Sequence, residues 1–291
     1  MKSGGNKLID GVLDALTRSG HGVSATPTPG PGTAAALARA SVAAGADLIL
    51  AFGGDGTLNE VAEGVIGSRT PLGILPGGTA NVVSCELELG SKPVEVASRI
   101  AQCRPERISV GRVRNGEGTR HFLAMAGTGL DARIVYGMSA DLKKRWGKMA
   151  YWLSGFRQLV HKLEELDVEI EGRTYRCTFA LITKVRNYGG DLRIARRVSL
   201  LDDQFEVVLF AGLRATRYVK YLTGVAVNRL DGMSGVTILR AREATLRAAS
   251  GDNVHMQVDG EYAGRLPGKV EIVPDALSLL IPETYTEGRK A

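Results

Sequence analysis

The sequence predicts a two-domain protein: an N-terminal three-layer α/β domain with a parallel sheet over residues 1–105, and a β-rich sandwich domain over residues 106–291. Two observations predict this division. Up to about residue 105, helical and strand patterns alternate, which is typical of a parallel sheet covered by helices. Beyond that point, short β segments separated by turn residues predominate, which is typical of a sandwich or barrel.

The elements of the first domain follow from hydrophobic spacing. Apolar residues at helical spacing predict a first helix over residues 8–16. The further predicted elements are a strand at 23–26, an Ala-rich helix at 33–44, a strand at 48–52, a helix at 58–66 and a strand at 72–75. Ligands of parallel α/β sheets bind beyond the carboxyl ends of the strands. We therefore expect binding residues in the loops after Phe52 and Leu75.

The second domain is predicted from its short β segments. They lie at residues 108–113, 121–126, 168–170, 175–183, 205–210, 236–239, 255–258 and 270–273. Helical patterns at 147–163 and 215–227 interrupt them. No linker rich in Pro, Gly or Ser marks the boundary near residue 105.

Composition narrows the class of protein. The chain has 291 residues, of which 44% are hydrophobic and 23% charged, as in folded soluble proteins. A net charge of +6 without a block of Lys and Arg favours an anionic substrate or membrane surface over nucleic acid. The three cysteines, Cys85, Cys103 and Cys177, form neither an even disulfide set nor a Cys-x-x-Cys pair, which favours a reduced cytoplasm. No apolar run approaches the roughly 18 residues of a membrane-spanning helix, so we expect any membrane contact to be peripheral.

The first stretch that indicates chemistry runs from residue 53 to residue 61. Gly53, Gly54 and Gly56 follow a buried strand, and Asp55 and Thr57 are residue types that cap helices. A phosphate at such a helix start would meet free amide groups and the positive end of the helix dipole. A tight turn without a ligand is the alternative. Asp55 favours a ligand, because a carboxylate beside a phosphate is unfavourable unless a cation or a proton transfer requires it.

A similar arrangement recurs about twenty residues later. A short apolar strand runs into Gly77 and Gly78, and Thr79 and Asn81 follow, with Thr79 in a position to cap a helix. Two adjacent strand ends thus each present a glycine turn with a hydroxyl group, which favours a phosphate-binding crevice between them. Neither a Walker A motif nor a G-x-G-x-x-G turn that opens a helix is present.

These two stretches resemble the signature motifs of the diacylglycerol kinase catalytic family, which includes sphingosine kinases and bacterial lipid kinases. Residues 53–61 resemble its nucleotide motif, and residues 75–81 resemble its second motif. The resemblance implies a magnesium-dependent lipid kinase that transfers the γ-phosphoryl group of ATP to a hydroxyl of a diacylglycerol-like lipid. It also implies an active site in the cleft between the two domains, a lipid substrate taken from the membrane surface, and a role in phospholipid metabolism.

The resemblance also assigns roles to individual residues. For nucleotide binding it indicates Thr28, Gly53, Gly54, Asp55, Gly56, Thr57, Asn59, Glu60, Gly77, Gly78, Thr79 and Asn81. Residues 258–261 resemble the family's late Asp-Gly-Glu motif. On this basis Asp259 is the predicted general base, Glu261 is the second choice, and Asp55 helps to hold the metal or the nucleotide.

A structural magnesium site is implied near residue 203. Residues 200–205 resemble a segment that binds Mg²⁺ through one aspartate, here Asp203, and through main-chain carbonyls, here those of Leu200 and Phe205. Gln204 stands where the family commonly has glycine.

Two other positions depart from the family pattern. The family's opening strand ends in Asn-Pro-x-Ser-Gly, and residues 1–5 resemble only the tail of that motif, so we expect this strand to be missing from the nucleotide domain. Val82 stands where many diacylglycerol kinases carry aspartate. A preference for diacylglycerol therefore does not follow from the motif.

A basic and aromatic segment at residues 143–156 has two interpretations. Lys143, Lys144 and Arg145 precede a stretch that contains Trp146, Tyr151 and other apolar residues. It is either a core helix with a solvated start or an interfacial element that contacts anionic lipid.

Three functions remain open from the sequence. They are the lipid kinase, a soluble-substrate kinase related to NAD kinases, and a catalytically silent lipid-binding or regulatory protein. A homodimer is compatible with each of them.

Overall fold

The computed structural model describes residues 3–129, 132, 163–189, 192–213, 215–226, 229–250 and 253–287. The segment at 143–156, and the helix predicted at 147–163 up to its last residue, lie outside the described residues. Asp131 lies outside them as well.

The helices of the described residues range from 5 to 16 residues in length. They are α1 (Ser3–Arg18), α2 (Ala34–Ala43), α3 (Asp55–Val65), α4 (Val82–Glu86), α5 (Pro93–Ser98), α6 (Ala215–Ala226) and α7 (Glu283–Glu287), with a 3₁₀ turn at Ile100–Gln102. Among the described residues, no helix is long and apolar enough to cross a bilayer.

The strands are short apart from two. They are β1 (Ile49–Gly53), β2 (Leu72–Pro76), β3 (Cys103–Asn115), β4 (Gly118–Phe122), β5 (Met125–Gly129), β6 (Leu166–Ile170), β7 (Arg173–Cys177), β8 (Phe179–Thr183), β9 (Asn187–Tyr188), β10 (Leu192–Arg193), β11 (Phe205–Phe210), β12 (Val236–Ala241), β13 (Glu243–Ala248), β14 (His255–Val258), β15 (Glu261–Arg265) and β16 (Gly268–Pro282).

The chain forms two compact units. Unit 1 comprises Met1–Ile108 and Asp275–Ala291, and unit 2 comprises Ser109–Pro274. The chain leaves unit 1 within β3 and returns to it within β16. The predicted domain boundary assigns residues 275–291 to the second domain. They group with unit 1 because the end of β16 pairs with β2, where Leu279 lies opposite Leu72.

Unit 1 contains the predicted parallel sheet. β1 pairs in parallel with β2, with Phe52 opposite Leu75, and β2 pairs in parallel with the end of β16. β2 is buried at every position, as expected for a strand covered on both faces. Helix α3 buries Leu58, Ala62 and Val65 on one face, as its spacing predicted.

The strand predicted at residues 23–26 is wrong. These residues have no regular structure and are exposed. Of the four side chains, only Val23 is large and apolar, so this segment offers no face that burial against a sheet would stabilise.

Unit 2 is a sandwich of two sheets, which confirms the predicted fold class. One sheet has the order β12-β11-β8-β5-β14-β15, and all of its pairs are antiparallel. The other face is formed by the first part of β16 with β13, β6 and β7, and by β3 with β4. Val168 and Leu246 from this face share one core with Val207 and Val258 from the six-stranded sheet.

The single strand predicted at residues 175–183 is two strands in different sheets. β7 pairs with β6, whereas β8 lies between β11 and β5. The break falls at Thr178, whose fully buried hydroxyl lies 2.6 Å from the hydroxyl of Tyr218 and donates to the carbonyl of Gly212. The apolar character continues across Thr178, so the pattern alone does not show the break.

Candidate functional site

The two glycine turns at the ends of β1 and β2 lie against each other, as predicted. The amide of Gly77 donates to the carbonyl of Gly53 at 2.8 Å. A Cβ atom at Gly78 would lie 2.5 Å from the Cα of Gly54. Only glycine allows this approach, because the obstructing atom belongs to the backbone.

Asp55 links the two turns. Helix α3 begins at Asp55, with Gly54 as its N-cap and no side-chain cap. The carboxylate of Asp55 instead accepts a hydrogen bond, at 2.7 Å, from the amide of Val82, which is the first residue of α4. The expectation that Asp55 or Thr57 caps α3 is therefore wrong. Thr57 lies inside the first turn of α3, and its side chain packs beside Gly53. A Cβ atom at Gly53 would lie 2.7 Å from the Cβ and Oγ1 atoms of Thr57.

Asn81 fixes the shape of the second turn. Its backbone is left-handed, with φ 45° and ψ 51°, a conformation that asparagine tolerates better than most residues. Its side chain accepts from the amide of Gly78 at 2.9 Å and donates to the carbonyl of Gly78 at 2.8 Å. Asn81, rather than Thr79, is the N-cap residue of α4, and it makes no side-chain capping bond.

The start of α3 has the electrostatic character of an anion site with a carboxylate inside it. The first amides of a helix have no partner within the helix, and the dipole makes this end positive. Asp55 brings a negative charge to the same place, so a bound triphosphate needs a cation between itself and the carboxylate. Mg²⁺ that arrives with a nucleotide takes most of its ligands from phosphates and water and needs one or two protein carboxylates. Asp55 fits that requirement.

No complete metal site made of side chains is present in the described part of the chain. No group of three or more His, Cys, Asp or Glu side chains there could hold an ion. A nucleotide-borne cation does not require such a group.

Asn59 lies in α3 with an unsatisfied acceptor. The residue is 8% exposed, and its Oδ1 atom has no hydrogen-bond partner. An unsatisfied buried acceptor costs about 1–3 kcal/mol. A donor group or a cation supplied by a ligand would remove that cost.

Glu60 holds the loop that carries Thr28. One carboxylate oxygen of Glu60 accepts from the amide of Gly32 at 2.8 Å, and the other accepts from the amide of Ala34, at the start of α2, at 3.2 Å. Thr28 is exposed in the preceding loop. The structure thus gives Glu60 a positioning contact, while its assignment to nucleotide binding stays a prediction.

We expect Glu60→Gln to lower the free energy of unfolding by about 1–2 kcal/mol, because an amide has one acceptor atom where the carboxylate uses two. Denaturant unfolding of the variant, with the exposed Glu88→Gln as control, measures the difference. Equal stability of the two variants would show that the two amides find other partners.

In unit 2, Asp259 lies in the turn between β14 and β15. Asp259 and Gly260 have φ values of 47° and 80°, as in the two-residue hairpin turn that favours Asp-Gly. The carboxylate of Asp259 accepts from the amides of Leu123, Ala124 and Met125 at 2.9, 3.0 and 2.8 Å. These amides, which precede and begin β5, hold the carboxylate in one orientation and favour its charged form. The Asp-Gly pair is typical of this turn, whereas the three amide donors lie far away in the sequence.

Glu261 is placed differently. Its side chain is 54% exposed and lies 3.5 Å from Arg120. An exposed pair of this kind contributes little to stability. The structure thus distinguishes the two carboxylates of the motif: Asp259 is fixed by the backbone, and Glu261 is a surface residue.

The implied magnesium segment, residues 200–205, overlaps a loop at residues 199–204 that is organised by Asp202 and is here called the Asp202 loop. The carboxylate of Asp202 accepts from Arg240 at 2.6 Å and from the amide of Ser199 at 3.1 Å. Asp203, the predicted metal ligand, is exposed. Leu200 and Phe205 are fully buried, and Phe205 begins β11.

Lys184 places a buried ammonium group at the Asp202 loop. It follows β8, is fully buried, and donates to the main-chain carbonyl of Asp202 and to the hydroxyl of Ser109. Burial lowers the pKa of Lys184 to about 8, while the carboxylates of Asp203 and Asp202 act in the opposite direction. The sequence pattern alone does not single out Lys184. The available signal was a lysine within the apolar run 179–185.

Two family models match the chain. The diacylglycerol kinase catalytic domain matches residues 1–113, and the YegS C-terminal NAD kinase beta sandwich-like domain matches residues 124–281.

Relatives and solved structures agree with these matches. The chain is 26% identical to the diacylglycerol kinase of Bacillus subtilis (strain 168) over 247 residues, which cover 83% of this chain and 80% of the relative. It is 26% identical to the diacylglycerol kinase of Mycobacterium tuberculosis (strain ATCC 25618 / H37Rv) over 255 residues, which cover 83% of this chain and 79% of the relative.

Two crystal structures from Bacillus anthracis str. Sterne share the fold. The first superimposes with a TM-score of 0.81 at 21% identity, covering 96% of this chain and 91% of the other. The second, of a diacylglycerol kinase, has a TM-score of 0.72 at 22% identity and covers 88% of this chain and 85% of the other. Because one of the two domain models alone matches more than half of the chain and the other precedes it, this chain belongs to the family that joins a diacylglycerol kinase catalytic domain to a YegS-type β-sandwich domain.

Proposed function

We propose that this protein is an ATP-dependent lipid kinase that phosphorylates a hydroxyl group of a diacylglycerol-like lipid. The observation that carries the proposal is the link that Asp55 makes between the two glycine turns, in a chain of the diacylglycerol kinase catalytic family. The relatives named diacylglycerol kinase, which this chain matches over about four fifths of its length, support the lipid as acceptor.

Phosphoryl transfer requires positioning and charge compensation more than covalent chemistry from the protein. In this proposal the amides at the start of α3 and the turn closed by Asn81 bind the phosphates of ATP. Asp55 would hold the Mg²⁺ that accompanies the nucleotide, and that cation would lower the repulsion between the phosphates and the carboxylate. Asn59 provides a buried acceptor for the bound nucleotide or its cation.

Asp259 is our candidate for the residue that accepts the proton of the lipid hydroxyl. Three amide donors weaken a carboxylate as a base. A weak base is sufficient here, because the loose transition state of phosphoryl transfer lets the acceptor proton leave late. The same donors fix the direction of the carboxylate, which proton transfer requires.

Labelled ATP, Mg²⁺ and a panel of acceptors test this function. The panel contains diacylglycerol, sphingoid bases, other lipids extracted from bacteria, and NAD. Label transfer to a lipid is the expected result. Transfer to NAD alone would favour the soluble-substrate kinase. NAD is in the panel because the C-terminal domain matches a family described as NAD kinase beta sandwich-like. ATP binding without transfer would favour a silent lipid-binding protein.

We further propose that the protein works from the cytoplasm at the inner face of the membrane and contacts anionic lipid through residues 143–156. Each Lys or Arg near an anionic surface contributes about 1 kcal/mol. Changing Lys143, Lys144 and Arg145 together to Gln should therefore weaken binding to anionic vesicles by about two orders of magnitude at low salt. Vesicle co-sedimentation measures this, and the same triple substitution should leave binding to neutral vesicles unchanged. Equal binding of wild type and variant to anionic vesicles would contradict membrane contact by this segment.

A further inference from the structure

Helix α7 starts at the edge of the parallel sheet where the two glycine turns lie. β16 runs parallel to β2, with Leu279 opposite Leu72. Counting on along both strands, Glu283, the first residue of α7, is level with Pro76, the last residue of β2. Gly77 of the second glycine turn follows directly. The end of β16 therefore brings α7 to the carboxyl ends of the strands, where parallel α/β sheets bind their ligands.

One side chain of α7 bonds a buried carboxylate of α4. The hydroxyl of Tyr285, which is half-buried, donates to Oε1 of Glu86 at 2.8 Å, across 199 positions of the chain. Glu86 is the last residue of α4 and is 1% exposed. Glu283 also pairs with Arg104, but both of these side chains are at least half exposed, so this ion pair contributes little.

Helix α4 is too short to be stable by itself. It has five residues, and isolated helices shorter than about 12 residues are marginal in water. Its first amide, that of Val82, donates to Asp55, and its last side chain, that of Glu86, accepts from Tyr285. Tertiary hydrogen bonds thus hold both ends of the helix. Because Asn81 closes the second glycine turn and is also the N-cap residue of α4, a displacement of the helix displaces the turn.

We propose that Tyr285 is a positioning residue for the nucleotide. Through Glu86 it holds α4, and with α4 the second glycine turn, in the geometry that binds the phosphates of ATP. This role rests on the proposed nucleotide site. It gives α7 a part in the affinity for ATP and none in the chemical step.

Tyr285→Phe removes the hydroxyl group and keeps the ring. Since one hydrogen bond typically corresponds to up to about tenfold in an equilibrium constant, we expect KM and Kd for ATP to rise about 5–10-fold. The kcat at saturating ATP should stay close to that of wild type, because the chemical groups are unchanged. Tyr262→Phe is the matched control, since the hydroxyl of Tyr262 donates to the exposed carboxylate of Glu117 at 3.1 Å in unit 2. It should leave both constants unchanged.

Amide hydrogen exchange without nucleotide gives a second readout, which does not depend on activity. In Tyr285→Phe, residues 77–86 should exchange faster than in wild type, and β1 should exchange at the wild-type rate. Unchanged exchange in residues 77–86 would overturn the link from Tyr285 to α4. A fall of kcat with unchanged KM for ATP would overturn the positioning role.

A double-mutant cycle tests whether Tyr285 acts through Glu86. Once Glu86 is changed to Leu, Tyr285→Phe should change the affinity for ATP no further. An equal effect in both backgrounds would show that Tyr285 acts through another contact. If Glu86→Leu does not fold, the exchange of residues 77–86 in Tyr285→Phe decides.

ATP binding separates this role from the proposed function. A wild-type protein that binds no ATP would contradict both. Binding by wild type that Tyr285→Phe retains in full would overturn the role of Tyr285 and leave the proposed function standing.

Discussion

Asp55→Asn should lower kcat for phosphoryl transfer by about 10²–10³-fold while the protein stays folded. The structure makes asparagine the informative substitution. An amide oxygen can still accept the hydrogen bond from the amide of Val82, so the link between the glycine turns is kept and only the negative charge is removed. Removing one electrostatic group from a preorganised site typically costs a factor of this size. Steady-state kinetics with ATP and the best lipid of the acceptor panel measure it.

Asp55→Ala separates the two roles of this side chain. Alanine removes the charge and also the hydrogen bond to α4, so this variant should lose about 1 kcal/mol of stability in addition to activity. Asp10→Asn on the exposed surface of α1 is the control for a charge change away from the site. Wild-type turnover by Asp55→Asn, combined with loss of stability in Asp55→Ala, would show that Asp55 is only a structural link.

Asp259→Asn should lower kcat by about 100-fold or more with little change in the affinity for ATP. The positive φ at this position suits asparagine, so the hairpin turn itself is preserved. A positioned base typically contributes 10²–10⁴-fold, and a late proton transfer favours the lower part of that range. The variant also tests the backbone contacts. The carboxylate of Asp259 accepts from three backbone amides, whereas the side chain of asparagine has an NH₂ group, which cannot accept, in place of one oxygen. We therefore expect an additional loss of about 1–3 kcal/mol in the free energy of unfolding.

The pH dependence of kcat distinguishes a base from a structural residue. If Asp259 accepts the proton, the acidic limb of the wild-type profile should disappear in Asp259→Asn, measured at a temperature where the variant is folded. Glu261→Gln is the matched control and should retain activity, because Glu261 is exposed and paired with Arg120. Loss of activity in Glu261→Gln but not in Asp259→Asn would exchange the two roles. Full activity in both would direct the search for the base to Asp55 or Asp131.

The location of the candidate nucleotide site could be predicted from the sequence. Alternating apolar segments identified a parallel sheet, and the rule that ligands bind at the carboxyl ends of strands singled out Gly53 and Gly77. The structure places these glycines in hydrogen-bonding contact. The predicted adjacency of the two turns is confirmed, because strands and turns are local features that a short stretch of residues specifies. Nucleotide binding at these turns stays a prediction.

The roles of the carboxylates and of Lys184 were decided by the tertiary structure. Asp55 was expected to cap its own helix, yet it bonds a residue 27 positions away. Asp259 bonds amides about 135 positions away, and Lys184 meets Ser109 across 75 positions. Helix caps and turns depend on neighbours in the chain, so composition and spacing predict where they form. The pairing of the strands decides which distant backbone group bonds to each carboxylate or ammonium. The pattern of apolar residues carries no information about these contacts.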